Sequence, residues 1–210
     1  VTDVWELVHE ERAALADDLR DVPDALWDTP SFCPGWTVHD VLAHLVDTAR
    51  TGRTGFVVGM IRARMDFDRQ NATGVARERG ASPGQTLRRF DACRSLTRRP
   101  PAPLDTRLVE MVVHGEDIRR PLRISRAYRP EAVHRALALQ ARTSTSFGGA
   151  RELIAGIRLS ATDAEICLGD GPEITGGALA LLLAISGRPV EPGELDGPGL
   201  AELVRARGAA

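Results

Sequence analysis

The chain has 210 residues, 43% hydrophobic and 27% charged, with a formal net charge of -2. That is enough chain for a buried core without disulfide staples, and a near-neutral surface offers no electrostatic case for nucleic acid or an anionic membrane as partner. All 27 basic residues are arginine, so lysine Schiff-base and lysine general-base chemistry are excluded.

Cys33, Cys93 and Cys167 are far apart and form no C-x-x-C pair, so no disulfide framework is read from them. The opening Val1-Thr2-Asp3-Val4-Trp5 has neither a basic region nor an apolar core. No signal peptide is expected, and the longest apolar run, 178–185, is far too short to span a bilayer. These features predict a cytoplasmic protein without membrane contact.

Taken in order, residues 3–22 read as an amphipathic helix with Val4, Leu7, Val8, Leu15 and Leu19 as its stripe. Pro23 and the stretch up to Pro34 break it. Thr37, with Asp40 three residues on, has the form of a capping box and starts a second helix with an apolar arc of Val38, Val41, Leu42, Leu45 and Ala49. His39 and His44 flank this arc about 140° apart, so one metal ion does not use both, and helical geometry does not choose between them. The second helical segment is read as 37–69, weakened at Gly52 and Gly55, and 71–83 as a polar connection. A third segment, 83–97, and a fourth, 105–120, complete a four-helix bundle.

The fourth segment carries the most chemistry. Glu110 and His114 stand one turn apart, and with Asp117 they fall within a roughly 60° arc. Met111, Ile118, Val109 and Val113 flank that arc, so the polar strip is set into an apolar surface and points inward. Taken alone, the pair reads either as an ion pair in a bundle or as two metal ligands that need a third. A third candidate ligand, His44, lies on the second segment.

Beyond residue 122 the texture changes. Residues 130–144 read as a helix ended by Gly148-Gly149. The stretches 157–162, 165–168 and 173–175 alternate as strands, and Gly169-Asp170-Gly171 reads as a hairpin turn between the last two. A buried helix at 178–185 and a short one around 200–205 follow. The fold class is thus α+β: an N-terminal four-helix bundle, 1–125, then a small α+β domain, 126–210, with an antiparallel sheet.

The stretch Gly35-Trp36-Thr37-Val38-x-Asp40-Val41-Leu42-x-His44-Leu45, preceded by Ser31-Phe32-Cys33-Pro34, resembles the N-terminal signature of the mycothiol-dependent maleylpyruvate isomerase-like family, in the DinB-like group of metal-dependent four-helix bundles. Glu110-x-x-Val113-His114-x-x-Asp117 resembles its second motif, and Asp66-x-Asp68-Arg69-x-Asn71 its common loop signature. The resemblance implies His44, Glu110 and His114 as metal ligands, with zinc as the ion and nickel or another divalent metal as substitutes, and it places His39 where the family varies. It also implies mycothiol as a thiol cosubstrate that adds to an electrophilic small molecule, in a transferase or an isomerase acting as monomer or homodimer. Asp117 is expected to orient a ligand imidazole, and Arg188, after the 178–185 helix, to bind a carboxylate of substrate or cofactor. Cys33 is a possible nucleophile or further ligand, with a packed structural role as its ordinary reading. A non-catalytic metal-binding or small-molecule-sensing protein on the same scaffold is the alternative, and a zinc hydrolase a third reading.

Overall fold

Helices fill the first part of the chain, in the order α1 (Val4–Asp18), α2 (Val38–Arg50), α3 (Arg53–Arg62), α4 (Phe67–Glu78), α5 (Pro83–Asp91) and α6 (Thr106–Arg119). The computed structural model describes residues 2–208, and the chain divides into two units, Val1–Ala127 and Tyr128–Ala210. In the first, α1 packs on α6, α6 on α2, α2 on α5 and α5 back on α1, which closes a ring of four helices. The apolar stripes expected of α1 and α2 line its inside: Val4, Leu7, Val8, Leu15, Val41, Leu42, Leu45 and Ala49 are all buried.

The start of α2 is set by the capping box. The Asp40 amide donates to Thr37 Oγ1 at 3.2 Å, and the Thr37 amide donates back to Asp40 Oδ2 at 3.0 Å. This fixes the phase of the helix and therefore which way its two histidines face. His39 turns toward α5, where its Nε2 lies 2.7 Å from Thr86 Oγ1. The Thr86 oxygen also accepts the Gly80 amide at 2.8 Å, leaving the hydroxyl proton for the imidazole.

Residues 37–69 are not one helix. The chain breaks after Arg50 and reverses at Arg64 and Met65, whose φ angles are 59° and 65°. The stretch expected as a polar connection is largely α4. Asp66 caps it, accepting the Arg69 amide at 3.0 Å, so the Asp66-to-Asn71 signature forms a helix start instead of a loop. Of the residues in α4 only Gly74, Val75 and Glu78 are buried, too few to write a 3.6-residue period. It is held to α2 in two other ways. Gly74 sits so close to α2 that a Cβ there would lie 2.3 Å from Asp47 Oδ2. Ion pairs join Arg77 to Asp47 and Arg50 to Glu78, the latter at 3.0 Å.

The second unit holds α7 (Pro130–Arg142), β1 (Arg158–Ala161), β2 (Cys167–Leu168), β3 (Glu173–Gly176), α8 (Ala178–Ile185), β4 (Leu195–Asp196) and α9 (Gly199–Gly208). Its sheet has the order β2-β1-β3-β4 and is mixed, not antiparallel as expected, because β1 and β3 run parallel. The hairpin is β1–β2, and the stretch through Gly169-Asp170-Gly171 is a crossing instead of a tight turn. There the chain passes the start of β1 so closely that a Cβ on Gly169 would lie 2.4 Å from the Ile157 carbonyl oxygen, and one on Gly171 2.1 Å from that of Gly156. Both glycines have positive φ, 76° and 124°. Helix α8, apolar along nearly its whole length, packs on α7, β1 and β3 and forms the core of this unit, capped by Asp163, whose Oδ1 accepts the Ala178 amide at 2.9 Å. No helix among the described residues is long and apolar enough to cross a membrane.

Gly171→Ala should cost about 1–3 kcal/mol in urea unfolding, because the methyl meets backbone oxygen and the positive φ strains any side chain. A second outcome concerns His39. Its burial, and then the nearby Arg79 charge, lower its pKa below the ordinary 6.5. The unfolded chain therefore takes up this proton first, so stability present above pH 6.5 is lost as pH falls toward the depressed value. His39→Gln should lose less stability than wild type between neutral and mildly acid pH; parallel losses would assign the acid sensitivity elsewhere.

Candidate metal centre

The capping box that sends His39 toward α5 sends His44, five residues on, toward α6. There it meets Glu110 and His114, stacked one helical turn apart. His44 Nε2 lies 3.4 Å from Glu110 Oε2, and His114 Nε2 lies 3.9 Å from the same oxygen. The two imidazole centroids are 4.9 Å apart with their planes at 80°. One donor atom from each of the three residues lies within 4.8 Å of the others.

One of these atoms, Glu110 Oε2, is an orphan, as is the other ring nitrogen of His44, Nδ1: both are buried, and neither makes a hydrogen bond of good geometry, although His44 Nε2 lies 3.4 Å from Oε2. A closed ion pair would have satisfied that oxygen, since a buried polar atom left unpaired costs about 1–3 kcal/mol. Two imidazoles and a carboxylate converging with an oxygen to spare fit a divalent ion of borderline softness. Burial pushes the Glu110 carboxyl up, but the His44 side chain, the Arg107 guanidinium and His114 outweigh it and hold the group well below the usual carboxylate range.

The surroundings orient the donors. His114 Nδ1 donates to Asp117 Oδ2 at 2.8 Å, which leaves the Nε2 lone pair to face Glu110. Asp117 is completely buried, and its carbonyl accepts the Phe32 amide at 3.2 Å, tying the loop ahead of α2 to α6. Trp36, from that loop, lies against His44 with ring centroids 5.0 Å apart. The same loop brings Cys33 near His114 and Asp117, their donor atoms within 4.8 Å of one another. In that second set Asp117 and His114 Nδ1 already satisfy each other, so the first set is the one with an oxygen to offer.

Of the residues expected from the sequence, His44, Glu110, His114 and Asp117 therefore meet in one place. His39 lies apart, bonded to Thr86. Arg188 belongs to the second unit, where its Nη1 donates to the Ser186 carbonyl just past α8 at 2.7 Å. None of the three cysteines is in a disulfide. Arg107, buried one turn before Glu110, was not anticipated; its i, i+3 spacing from Glu110 was the available signal.

Residues 8–105 match the family model described as the mycothiol maleylpyruvate isomerase N-terminal domain. The match takes in His44 and ends before Glu110. Among solved structures, the mycothiol-dependent maleylpyruvate isomerase is similar with a TM-score of 0.60, and a histidine-to-alanine mutant of it with 0.62. Each is 15% identical, over 93% of this chain and 91% of that one, a likeness of fold. No curated protein matches the chain. Residues 8–105 are thus similar to the mycothiol maleylpyruvate isomerase N-terminal domain, and the chain shares the fold of the isomerase along 93% of its length.

Proposed function

We propose that the protein is a zinc-dependent enzyme that joins a low-molecular-weight thiol, mycothiol, to an electrophilic small molecule, as a transferase or an isomerase. The observation that carries the metal part is the buried Glu110 Oε2, faced by two imidazoles and given no hydrogen. The thiol part is supported by the likeness of residues 8–105 to the N-terminal domain of mycothiol maleylpyruvate isomerase and by the fold shared with that mycothiol-dependent enzyme.

His44, Glu110 and His114 would hold the ion. Two neutral imidazoles and one carboxylate leave it a net positive charge and, in a four-coordinate site, one position open. When bound, zinc acts as a Lewis acid that lowers the pKa of a coordinated thiol. Asp117 keeps the His114 proton on Nδ1, so that Nε2 stays available as a donor. Trp36 covers one side of the His44 ring. Arg188 is the candidate for pairing with a carboxylate on substrate or thiol, since a guanidinium grips such a group with two parallel hydrogen bonds.

The test is turnover: zinc-loaded protein, mycothiol and a panel of electrophiles, read as loss of free thiol or as cis–trans conversion. Consumption that stops on chelation and returns with zinc supports the enzyme. Stoichiometric zinc with no turnover across the panel favours the binding or sensing alternative.

Elemental analysis should find about one zinc per wild-type chain and none in His44→Ala, which keeps its helical circular dichroism because the apolar faces of α2 do not depend on that residue. His39→Ala should keep its metal, and equal loss in both variants, or in neither, defeats the ligand assignment. Asp117→Asn should weaken zinc binding about 10- to 100-fold in competition with a chromophoric chelator, since the amide no longer fixes the imidazole proton.

A further inference from the structure

Arg107 is 4% exposed, a cation taken almost wholly out of water inside the first unit. Such a group is stabilised by oxygens that face its N–H groups, which here are found by the terminal nitrogens and not by Nε. Its terminal nitrogens diverge. Nη1 donates to the Thr48 carbonyl at 3.1 Å, and Nη2 lies 3.6 Å from Glu110 Oε1. Thr48 is one turn beyond His44 on α2, and Glu110 one turn beyond Arg107 on α6. One guanidinium therefore spans the two helices that supply the three donors.

The two oxygens of Glu110 have separate neighbours. Oε1 faces Arg107, while Oε2 faces both imidazoles, at 3.4 and 3.9 Å. We infer that Arg107 is a positioning residue: by holding Oε1 against α6 and the Thr48 carbonyl against α2, it turns Glu110 so that Oε2 alone is offered to the metal ion. This rests on the metal reading above and adds to it how the carboxylate is presented. A carboxylate bound through one oxygen leaves coordination positions open that a chelating one would fill. The guanidinium also draws charge from the carboxylate, which keeps the ion a stronger Lewis acid.

A planar fork can reach two partners in different directions, whereas an ammonium is a single point of charge. Arg107→Gln and Arg107→Lys therefore separate positioning from mere charge balance. Both are loaded with cobalt(II) in place of zinc, with folding followed by circular dichroism. Each variant should bind zinc at least about tenfold more weakly than wild type, and each cobalt form should show weaker visible bands, as coordination number rises when both carboxylate oxygens bind. A wild-type spectrum and affinity in Arg107→Gln would overturn the inference. So would full rescue by Arg107→Lys, which would show that charge alone is needed. If the variants do not fold, the wild type decides: with glutamate labelled by carbon-13, zinc addition should shift one carboxylate to the widely split pair of infrared bands of one-oxygen coordination, and a narrow splitting overturns the proposal. Absence of stoichiometric zinc from wild type is a separate failure, one that overturns the metal reading and this inference with it.

Discussion

A half-buried carboxylate in a helical bundle, with one oxygen wholly out of water, is the constraint on which the first unit turns. Glu110 gives up part of the hydration of a charge, a cost that apolar packing cannot return. Everything near it is arranged in answer: Arg107 beside one oxygen, two imidazoles facing the other, and Asp117 behind one of those imidazoles. The apolar residues around them, Met111, Val112, Leu108 and Leu42, are ordinary core and can pack in more than one way. The polar set cannot, because each member leaves another stranded if it moves. Adhesion in this unit comes from the apolar stripes, and the register of α2 against α6 comes from the polar set.

Elsewhere the interior meets polar burial with local partners. Arg12, 2% exposed, is received by the carbonyls of Cys93 and Leu96 in the turn after α5, at 3.0 and 2.7 Å. Its guanidinium pKa falls to about 10, through burial first and the Arg107 charge second. His39 is matched to a hydroxyl already fixed by an amide. The His39 pairing closes on itself, and the Arg12 nitrogen left without an acceptor, Nε, is a donor with no lone pair to give a metal ion. The centre at Glu110 differs in that its unpartnered oxygen belongs to a carboxylate and is faced by two imidazoles, and that combination marks it as a site.

What the sequence made legible divides along physical lines. Apolar periodicity and capping announce themselves locally, so α6, α8 and the start of α2 stand close to where they were expected, and the inward strip of Glu110, His114 and Asp117 follows from helical spacing alone. Helix α4 was hidden because it is held by a glycine contact and by ion pairs, neither of which writes a period into the chain. The mixed sheet was hidden for another reason: Gly169-Asp170-Gly171 has the composition of a hairpin turn, and only the position of β1 beneath it makes it a crossing. Arg107 sat among 27 arginines, and nothing in composition separates the one that spans two helices from those that face water.

The way α4 is attached has a consequence for the helix that carries His44. One flank of α2 is glued by hydrocarbon and is indifferent to dissolved ions, or is tightened by those that salt out apolar surface. The other flank is fastened to α4 by Arg77 and Arg50, both more than a third open to solvent, and such pairs fade as the Debye length shrinks from about 10 Å at 0.1 M salt to about 3 Å at 1 M. Brine therefore pulls on the two sides of one helix in opposite senses. It loosens the outer layer while firming the seam on which the histidine sits, so ionic strength becomes a dial that separates the periphery of the bundle from its centre.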